Sequence, residues 1–348
     1  MGMIKIPTKS RDFFEQNLQD VFNSGNLAEG EWNSRVAEWI KNYVNCEHAL
    51  AVNSNGAGLH ALLRILKQFH NKKKIFIQSN TMYGVKTIAI SSGLDLCGYV
   101  DCSLDYLMPT SRQVKDFIEK LDDPSECVFM ITHIGGWINP DIEEIAEICK
   151  QNNISLIEDC AHSLGSTLHK KHSGLYGDAG VYSLYATKAV PVGEGGIVVS
   201  NNSELSHQIQ KFSMYDRFDQ KLDLGVNIRM SEINALLTYS VLTEIDEIGN
   251  NKYEIAEKFM NACDEKNLRY IHPTKNGHKS NLYKFTLLAQ TEDPKKEFEK
   301  ITQRTSPVYD YALGDDNQNI ARKHICLPIW YKLEEDKIQD VIDEINNY

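Results

Sequence analysis

Three stretches of the 348-residue chain carry residue types that could do chemistry, and the first is SLYATKAVPVGEGG at residues 183–196. It places Lys188 among small and aromatic residues, with no acidic residue beside it. A lysine amine attacks a carbonyl compound only after it loses its proton, which an apolar or electropositive setting makes easier. Ser183 adds a hydroxyl, and the GEGG run lets the backbone come close to a bound molecule. The stretch indicates a reactive lysine, and a solvated loop lysine is the alternative.

The second stretch, NSNGAGLHALL at residues 53–63, is a glycine-rich turn between a predicted strand and a predicted helix. Free backbone N–H groups and the positive end of the helix dipole favour an anion there, usually a phosphate. Gly56, Gly58 and Ala61 also satisfy the dinucleotide pattern, so a nicotinamide- or flavin-dependent oxidoreductase is an alternative. That pattern needs an acidic residue at the end of the next strand, where this chain has Gln-Ser-Asn at 78–80. A cofactor with a single phosphate fits better.

The third stretch, LIEDCAHSLGS at residues 156–166, is a hydrophobic strand that ends in Glu158 and Asp159. Ligands of open α/β sheets bind beyond the carboxyl ends of the strands. A carboxylate there keeps a pyridine nitrogen protonated, which an electron-sink cofactor needs, although an Asp at this position also caps helices. Together with the glycine-rich turn and Lys188, the carboxylate predicts a site for pyridoxal phosphate.

The elements that must position these residues alternate between apolar strands and amphipathic helices through the first two-thirds of the chain. Strands that are apolar on both faces, with helices between them, indicate an α/β domain with a mostly parallel sheet. The predicted strands span residues 48–53, 74–79, 95–100, 127–132, 154–159, 179–185 and 195–200.

The pattern changes near residue 231, where a long helical stretch begins and strand signals become rare. We therefore predict a large α/β domain at residues 1–235, which includes a helical N-terminal segment. Residues 236–348 are predicted to form a smaller α+β domain.

Composition excludes several classes of protein. The formal net charge of −11 opposes binding to nucleic acid, which requires clustered positive charge. No secretory signal or membrane-spanning apolar run is present, and the eight cysteines contain no CxxC pair. We expect reduced thiols in the cytoplasm and no metal site. The HKKH run at residues 169–172 is predicted to be a charged turn.

Five segments, in order, resemble the signatures of the DegT/StrS family of pyridoxal-phosphate-dependent sugar aminotransferases. The resemblance spans nearly the whole chain, and the segments around Lys188 and GVNIRMSEINA are its most specific parts. It implies fold type I, with a seven-stranded sheet that is parallel except for one strand. The segments are NSNGAGLHALL, LIEDCAHSLGS, GDAGVYSLYATKAVPVGEGGIVVSN, LGVNIRMSEINALL and ICLPIWYKLEEDKIQDVI.

The resemblance implies a catalytic role for two residues. Lys188 matches the lysine that holds the cofactor covalently and then moves a proton between the substrate and the cofactor. Asp159 matches the carboxylate on the pyridine nitrogen, and His162 stands where the family has Gln or His beside the ring hydroxyl. Family members that carry out dehydration have His in place of the lysine, so Lys188 favours amino transfer.

The remaining matches concern the cofactor's phosphate and ring. Ser183 and the backbone of Gly56 and Ala57 match the phosphate contacts, although most members have Thr at the position of Gly56. Tyr83 falls where the family stacks an aromatic ring on the cofactor. Asn227 matches a residue that reaches the phosphate from the neighbouring subunit, so a homodimer with a shared site is implied. The Arg229 beside it is expected to be structural.

The implied reaction moves an amino group from an amino acid, L-glutamate by resemblance, to a keto-sugar in amino-sugar or surface-polysaccharide biosynthesis. The acceptor is expected to be nucleotide-linked or otherwise activated. Where many members have a Y-x-P-x-H stretch that lines the substrate pocket, this chain has VYDYALGDDNQN at residues 308–319. A keto substrate without a nucleotide therefore remains an alternative.

Overall fold

The computed structural model describes residues 4–215, 217, 222–309, 311–314 and 322–348. Two N-terminal helices precede an alternation of strands and helices. The helices are α1 (Thr8–Ser24) and α2 (Glu31–Val44), and the alternation runs β1 (His48–Val52), α3 (Asn55–Phe69), β2 (Lys74–Gln78), α4 (Tyr83–Ser91), β3 (Asp95–Val100), α5 (Ser111–Ile118), β4 (Cys127–Thr132), α6 (Ile142–Gln151) and β5 (Ser155–Cys160).

The second half of the chain adds short strands and longer helices. The hairpin of β6 and β7 turns at His169 and Lys170, both with positive φ, so the predicted HKKH turn is confirmed. The elements are β6 (Thr167–Leu168), β7 (Lys171–His172), β8 (Ala179–Ser183), β9 (Gly196–Ser200), α7 (Ser203–Met214), α8 (Glu232–Leu242), α9 (Ile245–Glu265), β10 (His278–Lys279), β11 (Phe285–Leu288), α10 (Pro294–Glu297), β12 (His324–Leu327) and α11 (Glu335–Asn346).

One seven-stranded sheet forms the centre of the molecule, in the order β1-β9-β8-β5-β4-β2-β3. Strand β9 runs antiparallel to both of its neighbours, and the pairs from β8 through β3 are all parallel. All seven predicted strands are in this sheet, with bounds that differ by no more than two residues. The predicted sheet with one antiparallel strand is confirmed.

Side chains alternate between the two faces of the sheet, as the period of a strand requires. Ile75 and Ile77 of β2 pack with helix α3 on one face. Phe76, between them, packs on the other face with Val114 of α5 and Ile145 of α6. Because both faces are covered, the edge formed by the carboxyl ends of the parallel strands is left for a ligand.

A separate core lies in the C-terminal part of the chain. Strands β11 and β12 pair antiparallel, and Phe285 and Leu327 from these strands pack with Phe259 of α9 and Val341 of α11. The predicted α+β character of this part is confirmed, and the boundary at residue 235 stays a prediction. In the described ranges, no helix is both long and apolar enough to cross a membrane.

Candidate active site

The carboxyl ends of three neighbouring parallel strands, β4, β5 and β8, bring the central polar residues together. Asp159 lies near the end of β5, Ser183 ends β8 and Thr132 ends β4. Register pairs Thr132 with Asp159, so these two side chains share one face of the sheet. Helix α3 begins beside them, because Asn55, its first residue, bonds to Asp159. The predicted carboxylate and the predicted phosphate turn therefore meet at this edge.

Asp159 is buried, and its two carboxylate oxygens are unequally bonded. Oδ1 accepts hydrogen bonds from Asn55 Nδ2 and from the backbone N–H of Ala161, both at 3.1 Å. Oδ2 has one long contact, 3.5 Å from Thr132 Oγ1. Burial raises the pKa of Asp159, while its hydrogen bonds and the charge of Lys188 act in the opposite direction. Among the ion pairs of the described residues none includes Asp159, so this buried acid lacks a cation.

Asn55 was not singled out by the sequence, although it holds Asp159 in place. Its amide also donates to the backbone oxygen of Val181 at 2.7 Å, so it links α3 to both β5 and β8. More than 100 residues separate Asn55 from Asp159, and the glycine pattern around it gives no sign of this contact.

The first turn of α3 shows what each small residue in the glycine-rich turn does. Ser54 caps the helix, and its hydroxyl accepts a hydrogen bond from the backbone N–H of Ala57 at 3.1 Å. A Cβ on Gly58 would lie 2.9 Å from a methyl group of Val181, so Gly58 lets the helix pack closely on the sheet. A Cβ on Gly56 would meet its nearest neighbour at 3.4 Å, an ordinary contact distance. Position 56 therefore has room for a larger side chain.

Lys188 lies half-buried in the segment between β8 and β9, and its amine contacts an aromatic residue from the C-terminal part of the chain. Nζ donates a hydrogen bond to the hydroxyl of Tyr283 at 3.2 Å and lies 4.5 Å from the centre of that ring. A cavity of about 60 Å³ borders Lys188, Tyr283, Trp330 and Lys252. Burial lowers the pKa of Lys252 to about 7, and its amine donates to a single described acceptor, the backbone oxygen of Asn281 at 2.7 Å.

His162 is buried between two tyrosines that the sequence analysis did not select. Its ring stacks on Tyr283, with centroids 4.3 Å apart, and Nε2 lies 3.4 Å from the hydroxyl of Tyr309. Nδ1 accepts the backbone N–H of Gly135 at 3.3 Å, which places the ring proton on Nε2. Burial, and then the charge of Lys188, lowers the pKa of His162 well below its usual value, so the ring is neutral.

The segment that departs from the family pattern supplies Tyr309 and also Tyr311. The hydroxyl of Tyr311 accepts the backbone N–H of Tyr83 at 2.8 Å, at the start of α4. This part of the chain thus links His162 to Tyr83, and nothing in its sequence pattern indicated that. Residues 310 and 315–321 lie outside the described residues.

Tyr83, Ser183 and Asn227 occupy different surroundings. The side chain of Tyr83 is 59% exposed. Ser183 is buried, and its hydroxyl accepts the backbone N–H of Tyr185 at 3.3 Å. Asn227 is exposed, and its side chain accepts the backbone N–H of Arg229 at 3.2 Å. Within the described residues Asn227 makes no hydrogen bond with Lys188, and its predicted role at the phosphate stays a prediction.

Arg229 has the contacts expected of a structural residue. Its guanidinium donates to the backbone oxygen of Ser213 at 2.6 Å and pairs with Glu29 at 3.4 Å. These contacts join the segment before α8 to α7 and to the N-terminal part of the chain.

Glu158, the neighbour of Asp159, is fully buried and has both oxygens occupied. Its carboxylate accepts four hydrogen bonds, from the backbone N–H groups of Gly174, Tyr176 and Gly177 and from Nε2 of His133. The side chains of His133, Glu158 and Cys160 are close enough to hold a metal ion. The hydrogen bonds to Glu158 already use the lone pairs that a metal would need, so Glu158 ties the end of β5 to His133 and to the segment before β8.

Comparison with known proteins gives one consistent family. The model of the DegT/DnrJ/EryC1/StrS aminotransferase family matches residues 8–346. A GDP-perosamine synthase of Vibrio cholerae is 23% identical in an alignment that covers 99% of this chain and 99% of that protein.

Solved structures agree in fold at low sequence identity. A DegT DnrJ EryC1 StrS aminotransferase from Brucella abortus has a TM-score of 0.85 and 17% identity, over 100% of this chain and 99% of the other. PseC of Helicobacter pylori, an aminotransferase involved in the biosynthesis of pseudoaminic acid, has a TM-score of 0.83 and 20% identity, over 99% and 97%. The predicted fold type I architecture is thereby confirmed. The chain belongs to the DegT/DnrJ/EryC1/StrS aminotransferase family, a family of pyridoxal-phosphate-dependent sugar aminotransferases.

Proposed function

We propose that this protein binds pyridoxal phosphate and uses it to move an amino group from L-glutamate to the keto group of a nucleotide-linked sugar. The family and the full-length similarity to a GDP-perosamine synthase support a sugar acceptor. Membership of this family argues against the alternative of a nicotinamide-dependent oxidoreductase that uses the turn of Gly56, Gly58 and Ala61. In the structure, Gly58 serves helix packing instead.

The observation that carries the proposal is the buried carboxylate of Asp159, which forms no ion pair among the described residues. A buried charge is stable only when paired or well hydrogen-bonded, and Oδ2 has a single contact of 3.5 Å. A protonated pyridine nitrogen would supply the missing partner. The amine of Lys188 suits the cofactor's aldehyde and the start of α3 suits its phosphate, so the residues fit the whole cofactor.

Each of these residues has a task in the proposed reaction. When bound, pyridoxal phosphate supplies an electron sink for the charge that develops on the substrate carbon. Lys188 would hold the cofactor and then, as a free amine, take a proton from that carbon and pass it to the carbon of the cofactor's aldehyde. Asp159 favours the protonated pyridine nitrogen, because its negative charge stabilises the adjacent positive charge. Neutral His162 lies beside the ring hydroxyl and excludes water.

Other residues bind the cofactor without moving protons. Ser183 and the backbone of Gly56 and Ala57 would contact the phosphate at the start of α3. The exposed ring of Tyr83 would stack on the cofactor ring.

The site is completed by Asn227 of a second copy in a two-fold homodimer. Exposed apolar residues near the site support an interface there, since Met82, Tyr83, Tyr185 and Val226 are each between 46% and 59% exposed. Mixing the inactive variants Lys188→Ala and Asn227→Ala tests this arrangement. About a quarter of the sites in the mixture should be complete if the asparagine acts across the interface, and none if it acts within its own subunit.

The reaction is tested on protein loaded with pyridoxal phosphate and mixed with L-glutamate. We expect release of 2-oxoglutarate and replacement of the cofactor's visible absorption band by the shorter-wavelength band of pyridoxamine phosphate. Lys188→Ala should abolish both changes, whereas Lys258→Ala, a remote surface variant, should not.

The acceptor is tested with a keto-sugar that is offered with and without its nucleoside diphosphate. Regeneration of the visible band by the nucleotide-linked form alone supports the proposal, and regeneration by the free sugar favours a substrate without a nucleotide. Failure of every amino acid to release its oxo acid would contradict amino transfer.

A further inference from the structure

Tyr283 enters the candidate active site from the C-terminal part of the chain, and the amino transfer proposed above gives it no task. Its hydroxyl is the described hydrogen-bond partner of Lys188 Nζ, at 3.2 Å. Its ring is stacked on His162 with an interplanar angle of 24°. One residue therefore contacts both the proposed catalytic lysine and the histidine beside the proposed cofactor ring.

The turn that carries Tyr283 is held on both sides. Asn281 donates from its side chain to the backbone oxygens of His162 and Leu164 at 2.9 and 2.8 Å, and accepts the backbone N–H of Tyr283 at 2.9 Å. Lys252 of α9 donates to the backbone oxygen of Asn281. These bonds connect the turn to the active-site loop on one side and to the C-terminal core on the other.

Two backbone features show that the position of this turn is strongly determined. Leu282 has a φ of 52°, in the left-handed region that leucine rarely adopts. A Cβ on Gly136 would lie 2.9 Å from the backbone nitrogen of Tyr283, so the two segments approach each other as closely as a glycine permits. Strain of this kind persists only where the surrounding structure enforces it, and it is concentrated at functional sites.

The charges around the pair favour a shared hydrogen bond. Burial by itself would raise the pKa of Tyr283, but the charges of Lys188 and Lys284, together with a hydrogen bond from Thr187, outweigh it and lower the pKa. The phenol is therefore a better hydrogen-bond donor than an ordinary tyrosine. The other titratable groups that face the pair are His162, Tyr309, Asp159 and Lys252.

We propose that Tyr283 is the positioning residue for Lys188, whose amine it holds in place in both protonation states during the reaction. A phenol oxygen accepts a hydrogen bond from an ammonium group, and its O–H donates to the lone pair of a free amine. The lysine can thus release the cofactor, take a proton from the substrate and deliver it to the cofactor while Nζ stays at one place. We call this hydrogen bond between Tyr283 and Lys188 the clamp. Its purpose in the reaction rests on the proposed function, whereas the contact itself is present without a cofactor.

The hydroxyl is tested by Tyr283→Phe, which keeps the ring stacked on His162. Without the hydroxyl, Nζ of Lys188 loses its described hydrogen-bond partner, so the amine is less confined and reaches a small reagent more readily. Near neutral pH, acetic anhydride in limiting amount should then acetylate Lys188 of the cofactor-free protein about fivefold faster than in the wild type. Peptide mass spectrometry reports the rate, and exposed Lys258 in the same digest is the internal standard.

The matched control is Tyr253→Phe, which removes one hydroxyl of α9 that bonds to the same turn. Tyr253 donates to the backbone oxygen of Ser280 at 2.6 Å and, within the described residues, makes no hydrogen bond with Lys188. Its acetylation rate at Lys188 should equal that of the wild type, whereas a loosened turn would change both variants alike.

With the cofactor bound, Tyr283→Phe should slow the reaction with L-glutamate about tenfold or more, because Nζ is no longer held in reach of its target. The clamp thus predicts that Tyr283→Phe makes the amine of Lys188 more reactive toward acetic anhydride and at the same time slows amino transfer. An acetylation rate equal to that of Tyr253→Phe would overturn the inference. If wild-type protein does not react with any amino acid, the proposed function fails, and the acetylation comparison still decides the role of Tyr283.

Discussion

Glu158 and Asp159 are adjacent, buried carboxylates on one strand, yet the hydrogen bonding on the two sides of β5 differs. On one side, Glu158 accepts four hydrogen bonds between 2.7 and 2.8 Å, one of them from His133. On the other side, Asp159 has one oxygen with two bonds of 3.1 Å and a second oxygen with a single 3.5 Å contact.

The difference separates a residue that stabilises the fold from one that is prepared for a ligand. Full bonding leaves Glu158 no capacity for another partner, and the loss of any one donor would leave a buried polar group unsatisfied. Incomplete bonding leaves Asp159 with the cost of burial and an oxygen free to accept a bond from a cation. Residue type and position in the strand are almost the same, so the surroundings alone distinguish the two roles.

The largest effect is expected for Glu158→Gln. The amide group would face N–H donors that the carboxylate oxygens now accept, so buried donors would lose their partners at about 3–5 kcal/mol in total. The free energy of unfolding, measured with urea, should fall by that amount, or soluble protein should be lost. Glu144→Gln, an exposed residue of α6, is the control and should be neutral. A stable Glu158→Gln protein would contradict the structural role of this residue.

Asp159→Asn should separate activity from stability. Burial raises the pKa of Asp159, so the folded state prefers the protonated acid. The stabilisation from the protonated acid is present below the ordinary pKa of about 3.9 and is lost as pH rises through the pKa of the folded state. At neutral pH the ionised residue is therefore a cost, which the neutral amide removes. The cofactor-free variant should melt roughly 2 °C or more above the wild type and should lose amino transfer. A lower melting temperature would show that Asp159 is already paired.

Lys252→Met should give an effect that depends on pH. The pKa of about 7 in the folded state lies below the ordinary value of about 10.4, so stability from the neutral amine is present at high pH and is lost as pH falls to about 7. Relative to the variant, the wild type should lose on the order of 4 kcal/mol of unfolding free energy across that window. Lys258→Met, on the exposed side of α9, should show no such slope. Parallel pH profiles for Lys252→Met and the wild type would mean that the amine stays charged.

Much of the fold could be predicted because local signals and tertiary structure agree. The seven strands are apolar runs buried on both faces, and the predicted bounds differ from the observed ones by no more than two residues. Asp159 and Ser183 could be placed at one edge because parallel strands align their carboxyl ends. Lys188 follows β8 by only a few residues, so its approach to the same edge was also predictable.

The rest of the site could not be predicted, because it depends on contacts between distant parts of the chain. Tyr283 meets Lys188 across 95 residues, and Tyr309 meets His162 across 147. Tyr283 stands in a strand-like stretch with no distinguishing pattern, and the 308–319 segment was expected near the substrate pocket without Tyr309 being marked in it. Asn55 lay within a motif, but the motif drew attention to its glycines. The positions of these residues follow from how the C-terminal core packs on the large sheet.

The central claim is that Lys188 is the residue that holds the cofactor at Asp159. The most direct test loads the wild-type protein with pyridoxal phosphate, reduces it with borohydride to fix the cofactor to the amine that carries it, and maps the labelled peptide. We predict the label on Lys188, and none there in Lys188→Ala. Label on Lys252 or Lys284 instead, or no label on any lysine, would contradict the account.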